Sequence, residues 1–215
     1  MGKKRSYQKI ISDFESRKID ILIGTQMISK GLDFSNVRLV GVLNADNLLF
    51  FPDFRAYEKA YQLLAQVSGR AGRKRKQGKV IIQTSDPEHP VLQWVVQGDY
   101  MKMYNSQMAE RGIFKYPPYY RLIKITLKHK DLGKLNEAGG MIARELKKIF
   151  GSRVLGPEFP QISKIQLYHL KILLIKFERG SKYSEFKRTL SEAIRKFESV
   201  KEFSQLKIVI DVDPN

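Results

Sequence analysis

The sequence predicts an α/β protein of two parts, a partial parallel sheet with helices followed by a small α+β domain. In the first half, short apolar runs alternate with segments of helical periodicity, which is typical of a parallel sheet covered by helices. In the second half, the predicted order of strand, helix, strand, strand, helix, strand matches a ferredoxin-like split βαβ arrangement. We place the boundary at Tyr116-Pro117-Pro118-Tyr119, because a proline pair stops a helix and stiffens the chain. The predicted domains are therefore residues 1–115 and 116–215.

The first half contains three apolar runs that predict strands and three segments whose apolar spacing predicts helices. The strands are expected at residues 19–23, 37–43 and 79–84. The helices are expected at residues 6–18, 55–67 and 88–111, the last of them broken around Gln97-Gly98-Asp99. We expect the first two strands to be buried, because the strands of a parallel sheet are covered on both faces.

The second half shows a different alternation of residue types. Apolar and polar residues alternate over 123–128, which predicts a strand with one solvated face. Helices are expected over residues 135–149 and 183–197, and further strands over residues 164–167, 171–177 and 206–212. The intervening residues 154–160 are expected to form a turn-rich connection rather than a strand.

The charge of the chain predicts a polyanionic partner. Lys and Arg number 39 against 22 Asp and Glu, so the 215 residues carry a formal net charge of +17. This excess is larger than solubility requires, and it indicates nucleic acid most simply. No segment approaches the ~20 apolar residues of a membrane span, and the polar N-terminal residues do not form a signal peptide. We therefore expect a cytoplasmic protein with no membrane partner.

Two absences from the sequence limit its chemistry. The chain has no cysteine, so it can form neither a disulfide nor a cysteine zinc site. It also has no Gly-x-x-x-x-Gly-Lys-Ser/Thr sequence, so it lacks the loop that cradles phosphates in P-loop enzymes. Asp211 and Asp213 share a strand face, but we expect them to form a solvated chain end and not a metal site.

The first candidate site is Gln66-Val67-Ser68-Gly69-Arg70-Ala71-Gly72-Arg73, at the end of the helix predicted over 55–67. Gly69 permits a sharp bend before Arg70, so we expect both arginines to project from a turn. Two guanidinium forks at this spacing suit a polyphosphate, because each can pair two oxygens at once. The alternative is an exposed basic turn, since Lys74-Arg75-Lys76 follows directly.

The second candidate site is the loop Gly24–Phe34, which follows the apolar run at 19–23. In open parallel sheets, ligands bind at the carboxyl ends of the strands, where this loop is expected to lie. A hydroxyl, an amide and a carboxylate in such a loop can contact phosphate or ribose. The alternatives are local roles, because Thr25 can cap a helix and Asp33 can bond within a turn.

Together the two motifs resemble motifs V and VI in the second RecA-like lobe of superfamily 2 helicases. The Gly24–Phe34 and Tyr116–Tyr119 segments narrow the resemblance to the PriA family of bacterial replication-restart helicases, over nearly the whole chain. The resemblance implies a partial second lobe followed by a small α+β C-terminal domain likened to a ribosomal S10-type fold. It also implies a fragment, because the family's first lobe, with its P-loop, magnesium-binding acid and zinc-binding cysteines, is expected outside this chain.

The resemblance also assigns roles to the residues of both motifs. ATP would bind between the two lobes, with Arg73 as the arginine finger, Arg70 supporting it, and Gln66 coupling the nucleotide to lobe closure. Residues near the nucleotide would be Gly31, Asp33, Gln66, Arg70 and Arg73, and residues on the DNA backbone would be Thr25, Gln26 and Lys30.

The second domain shows no catalytic constellation, and we expect it to bind DNA or partner proteins. Lys124 and Lys128 on the first strand of this domain are its candidate DNA contacts, and an ordinary solvated lysine face is the alternative. The three histidines of the chain are scattered, so we expect surface or packing roles for them; they are His89, His129 and His169.

The function implied by the resemblance is that of an ATP-dependent 3′-to-5′ DNA helicase that binds forked DNA and restarts stalled forks through primosome assembly. The implied cofactors are ATP and Mg²⁺, and the implied partners are DNA forks, single strands, single-stranded DNA-binding protein and primosome proteins. The chain alone is expected to be monomeric and inactive. One alternative is a non-catalytic nucleic-acid-binding module, which explains the charge but not the motif order. Another is a RecG-like remodeller, which the Tyr-Pro-Pro-Tyr segment and the C-terminal domain count against.

Overall fold

The computed structural model describes residues 2–25, 37–69, 78–180 and 183–214. The chain folds into two compact units, Met1–Ala109 and Glu110–Asn215, which we call the first and second units. Each unit has a hydrophobic core of its own. None of the helices in these ranges is long and apolar enough to cross a membrane.

The first unit combines helices with a short parallel ladder. Its elements are α1 (Gly2–Glu15), β1 (Leu39–Val42), α2 (Asp46–Leu49), α3 (Ala56–Ser68), β2 (Lys79–Ile82), α4 (Pro90–Gln97) and the beginning of α5 (Tyr100–Ile113). β1 pairs with β2 in parallel, with Leu39 opposite Lys79. The helices predicted at 6–18, 55–67 and 88–111 are confirmed, including the break at Gly98, which adopts a left-handed φ of 67°.

Helix α3 is the centre of the first unit's core. It buries Ala60, Tyr61 and Leu64, because residues three and four apart lie on one side of a helix. That side packs with apolar residues of α2, α4 and α5, namely Leu49, Val91, Leu92 and Met103. The core thus fixes α3, the helix that leads into the arginine motif.

The prediction of a buried strand at residues 19–23 is wrong. This segment has no regular secondary structure, and Ile21 and Ile23 are 76% and 83% exposed. A strand needs a neighbour for its backbone N–H and C=O groups, and the parallel ladder of the described residues joins only β1 and β2. β1 is also less buried than expected, with Leu39 57% exposed, because only one face of this ladder packs on the core.

The second unit is built on an antiparallel sheet with two long helices. Its elements are β3 (Tyr120–His129), α6 (Leu132–Phe150), β4 (Val154–Glu158), β5 (Lys164–Ile165), β6 (Tyr168–Glu178), α7 (Tyr183–Glu198) and β7 (Lys207–Val212). The strand order is β4-β6-β3-β7, and β5 pairs with β6 as a hairpin. β6 thus lies between β3 and β4, which confirms the split βαβ arrangement.

Residues 154–158 correct the expectation of a turn-rich connection, because they form the edge strand β4. The ladder between β4 and β6 shifts register between Leu155 and Glu158. Gly156 lies within this shift with a φ of +90°, a conformation that side chains of L residues rarely adopt. A Gly-Pro pair is typical of a turn, and here it forms an irregularity inside a strand.

The two faces of this sheet have different surroundings. Ile123, Ile125 and Leu127 of β3 pack with α6 and α7 in the core, together with Leu173 and Ile175 of β6. The other face, which we call the open face, carries the alternate side chains of β3, β6 and β7. Its members by register include Lys124, Thr126 and Lys128 of β3, Leu170, Ile172 and Leu174 of β6, and Lys207, Val209 and Asp211 of β7.

Candidate nucleic-acid interface

Two of the residues predicted at the helicase motifs lie in the described part of the first unit. Thr25 is exposed in a segment without regular secondary structure, and Gln66 is half-buried in the last turns of α3. The other predicted residues lie outside the described residues; they are Gln26, Lys30, Gly31, Asp33, Arg70 and Arg73.

The end of α3 corrects one expectation about the arginine motif. Gly69 does not bend the chain sharply, because it keeps a helical conformation with φ −69° and ψ −4°. Its amide donates to the carbonyl of Ala65 at 3.1 Å. The helical path therefore continues as far as the residue before Arg70.

A carboxylate holds the beginning of α3. Asp53 accepts hydrogen bonds from the Arg55 amide at 2.9 Å and from Lys59 Nζ at 2.6 Å. Burial raises the pKa of Asp53, but the bonds from Lys59 and Arg55 outweigh it and hold that pKa below its ordinary value. This carboxylate fixes the start of the helix that ends at the arginine motif.

A second carboxylate ties together the carboxyl ends of β1 and β2. Asp46 follows β1 and accepts from Thr84 Oγ1 at 2.5 Å and from the Ser85 amide at 3.0 Å. These hydrogen bonds lower the pKa of Asp46, the one from Thr84 having the largest effect. Asp46 lies at the edge of the sheet where ligands bind in α/β folds, but its acceptor sites are used to join the two strands.

His89 confirms the expectation of a packing role for the histidines. It is buried, and its Nδ1 accepts a hydrogen bond from the Val91 amide at 3.3 Å. This hydrogen bond caps the start of α4. The His89 ring packs nearly perpendicular to the rings of Tyr57 and Phe50, with centroids 5.0 and 5.9 Å apart. His129 is likewise buried, with its Nδ1 2.9 Å from the Asp131 amide.

In the second unit, the candidate DNA contacts Lys124 and Lys128 both lie half-buried on the open face, as the alternation along β3 predicts. Their cross-strand neighbours on β7 differ. Lys124 is opposite Asp211, whereas Lys128 is opposite Lys207. The charge of Lys124 is therefore partly balanced by its neighbour, and the charge of Lys128 is reinforced.

Next to Lys128, a cleft opens at the end of the sheet, and we call it the lysine cleft. It has a volume of about 270 Å³ and is lined by Lys130, Tyr168, Gln205 and Lys207. The ammonium groups of Lys207 and Lys130 lie 4.7 and 5.9 Å from the centre of the Tyr168 ring. A hydrogen bond from Lys207, helped by the charges of both lysines, lowers the pKa of the Tyr168 hydroxyl.

Sequence reasoning did not single out these residues as a group, although a local signal was present. Lys130 continues the alternation of Lys124 and Lys128, and Lys207 begins the last strand. Only the register of β3 with β6 and β7 places these side chains around Tyr168.

Two other lysines of β6 are engaged within the second unit. Lys176 Nζ donates to the Phe114 carbonyl at 2.7 Å and lies 3.6 Å from the centre of the Tyr116 ring. Burial, followed by the charge of Lys115, lowers the pKa of Lys176. Lys171 is opposite Leu127, on the helix-covered face, and its ammonium lies over the Phe159 ring. Lys176 lies on the open face by register, opposite Leu122, but its ammonium is already engaged by Phe114 and Tyr116, whereas Lys171 lies on the other face.

Within the described ranges, no group of three or more His, Asp or Glu side chains is arranged to hold a metal ion. Asp213 does not form a loose chain end, because its carboxylate accepts from Arg121 Nη1 and from the Leu122 amide, both at 3.1 Å. Its role is to hold the end of β7 against β3.

Two family models match the chain. The helicase conserved C-terminal domain matches residues 2–75, and the primosomal protein N C-terminal domain matches residues 112–215. These matched regions correspond to the motif-bearing first half and to the antiparallel α/β unit.

Individual relatives match over the whole chain. Replication restart protein PriA of Bacillus subtilis is 41% identical over 100% of this chain and 26% of its own length. Those of Synechocystis and Haemophilus influenzae are both 36% identical over 99% of this chain, and over 25% and 29% of their own lengths. The chain thus spans about a quarter of the length of the relatives that it matches. It belongs to the PriA family of replication restart proteins, in which it corresponds to the C-terminal helicase domain and the C-terminal domain that follows.

Proposed function

We propose that this chain is the C-terminal part of an ATP-dependent 3′-to-5′ DNA helicase that binds forked DNA and restarts stalled replication forks. The observation that carries the proposal is the 41% identity to a replication restart protein along the entire chain, through both motifs and both units. The net charge of +17 supports a nucleic-acid partner.

In the proposed mechanism, the first unit acts on the nucleotide from one side. ATP and Mg²⁺ would be held mainly by a first lobe outside this chain, and ATP would supply the phosphoryl group whose transfer drives movement. Arg73 would neutralise the charge that develops on that group, and Arg70 would support it. Gln66 fits a coupling role, because it lies half-buried in α3, a helix held by Asp53 at one end and by the core along its length.

The DNA strand is assigned to loop and sheet surfaces. Thr25 is exposed and available to a backbone phosphate, and we assign Gln26 and Lys30 to the same strand, with Gly31 and Asp33 beside the nucleotide. In the second unit, Lys124 and Lys128 present ammonium groups on the open face. The two lysines are about 13 Å apart along β3 at the usual rise per residue, so they would contact phosphates that are not adjacent.

The partners follow from this activity. We propose that the protein works in the cytoplasm on forks and single strands, together with single-stranded DNA-binding protein and primosome proteins. Zinc belongs to the part of the protein outside this chain, since the chain contains no cysteine.

The test is ATP hydrolysis by the full-length protein with and without forked DNA. Arg73→Ala should lower DNA-stimulated turnover by about 10³-fold or more, the lower range of an arginine finger, while fork binding stays within about two-fold. Arg195→Ala, an exposed arginine of α7, is the matched control and should change neither quantity.

If Arg73→Ala leaves turnover intact, the arginine-finger assignment fails. If Arg73→Ala instead abolishes fork binding while ATP turnover without DNA is unchanged, the arginine motif binds DNA. The chain would then be better described as a nucleic-acid-binding module.

A further inference from the structure

We propose that the lysine cleft of Lys130, Tyr168, Gln205 and Lys207 is a binding site for a backbone phosphate of a DNA strand that lies along the open face. This inference rests on the proposed function and extends it to residues that neither sequence motif contains. The cleft lies at the end of the sheet next to Lys128, so a strand that passes Lys124 and Lys128 would reach it next.

Like charges are brought together at the lysine cleft. Lys128 and Lys207 are directly opposite on β3 and β7, and Lys130 follows two residues after Lys128. Like charges opposite each other in a sheet destabilise it. In the described part of the chain, no carboxylate lies within 4.0 Å of the ammonium groups of these three lysines. An anion bound in the cleft would relieve this repulsion.

The cleft has the hydrogen-bond donors that a phosphate needs. Two ammonium groups and the Gln205 amide line a space of about 270 Å³, which is larger than a phosphate group. Cation–π contacts with Tyr168 hold both ammonium groups near one ring, so less side-chain freedom is lost when an anion binds.

The lysine cleft does not offer a free aromatic ring for a base. The Tyr168 ring is engaged by two ammonium groups, so it is not free to stack on a base as the aromatic residues of single-strand-binding proteins do. The contact is therefore electrostatic, and a contact to phosphate carries no sequence information. We expect the contribution of the cleft to be the same for thymine and adenine strands.

The experiment measures binding of the 215-residue chain to fluorescein-labelled single strands of 20 thymidines or 20 deoxyadenosines. Fluorescence anisotropy is followed between about 50 and 200 mM salt, a range over which counterion release changes the affinity strongly. The double variant Lys130→Gln/Lys207→Gln should reduce the salt slope by about 0.7, the value for one phosphate contact on a single strand. This corresponds to about five-fold weaker binding at 0.1 M salt. The loss should be equal for both strands.

Two further variants serve as controls. Lys147→Gln/Lys187→Gln removes the same charge from exposed positions on α6 and α7, and should change the slope by less than half as much. Lys130→Arg/Lys207→Arg keeps the charge and should bind like the unmodified chain. If circular dichroism shows that the glutamine variant does not fold, the arginine variant takes its place in the test. A folded arginine variant that has lost DNA binding would then overturn the proposal.

The outcomes separate this inference from the proposed function. If both glutamine pairs weaken binding equally, only net charge matters and the cleft is not a site. If the unmodified chain binds neither strand, the DNA role of the second unit falls with the cleft. Binding of a peptide of eight aspartates is measured with the same variants. If Lys130→Gln/Lys207→Gln weakens binding of that peptide and not of DNA, the occupant is an acidic protein segment and the proposal is wrong.

Discussion

Gly156 in β4 provides a sharp test of the second unit's structure. Its φ is +90°, and a Cβ added there would lie 2.8 Å from the Ile172 carbonyl oxygen and 3.2 Å from the Glu158 nitrogen. The Ile172 oxygen belongs to the backbone of β6, which is paired with both β3 and β4, so it cannot move away without disturbing the sheet. A methyl group at this position is therefore unfavourable for two independent reasons.

The magnitude of Gly156→Ala follows from these two terms. Holding a non-glycine residue at this φ costs about 1–3 kcal/mol, and forcing apart a packed backbone costs about as much again. We expect the second unit to lose about 2–5 kcal/mol of its free energy of unfolding. Hydrogen exchange of the slowest β3 amides reports that unfolding, and it should accelerate about 30-fold or more, since every ~1.4 kcal/mol is a factor of ten.

Gly140→Ala is the matched control. Gly140 lies in α6, and an added Cβ would have nothing within 4 Å. Alanine should stabilise the helix there by about 0.5–1 kcal/mol and slow the same amides. If Gly156→Ala exchanges no faster than the unmodified chain, the positive φ and the close approach to Ile172 are not features of the folded protein.

Two further predictions concern the stability of the two units. Ile125→Ala removes a side chain with no exposed surface from the centre of β3. The second unit should therefore lose about 2–5 kcal/mol of its free energy of unfolding, measured by the same hydrogen exchange. An equal effect of Val209→Ala, at an exposed position, would contradict this reasoning. Because hydrogen bonds hold the pKa of Asp46 below its ordinary value, its stabilising effect is present above about pH 4 and is lost as the pH falls through the folded-state pKa. Asp46→Asn should therefore weaken the acid dependence of urea unfolding followed by Trp94 fluorescence; an unchanged acid dependence would show that the bonds to Thr84 and Ser85 do not matter.

Local patterns were sufficient to predict most helices and strands of this protein. The spacing of Ala60, Tyr61 and Leu64 predicted α3, and the alternation along β3 predicted that Lys124 and Lys128 share a face. Both patterns depend only on the geometry of a single element. For the same reason, the order of elements in the second half was enough to predict its split βαβ topology.

The errors occurred where a neighbour decides the conformation. The run at residues 19–23 is as apolar as β1, yet it forms no strand, because apolar character alone does not supply a hydrogen-bonding partner. The opposite error occurred at Gly156-Pro157. These residues are typical of a turn, but they lie within β4 because that strand pairs with β6. Gly69 was expected to bend the chain, but helical hydrogen bonding keeps it in line with α3.

The family, the positive charge, the two-part organisation and the motif that ends in Arg70 and Arg73 could all be predicted from the order of residues. Each of these depends only on residue identity and spacing along the chain. Which side chains meet depends instead on how the strands pair. Lys130, Tyr168 and Lys207 come from three separate strand ends, and their grouping depends on the register of β3 with β6 and β7. A shift of one residue in either ladder would send the side chains to opposite faces of the sheet. Such a shift would remove the lysine cleft while leaving every local pattern in the sequence unchanged.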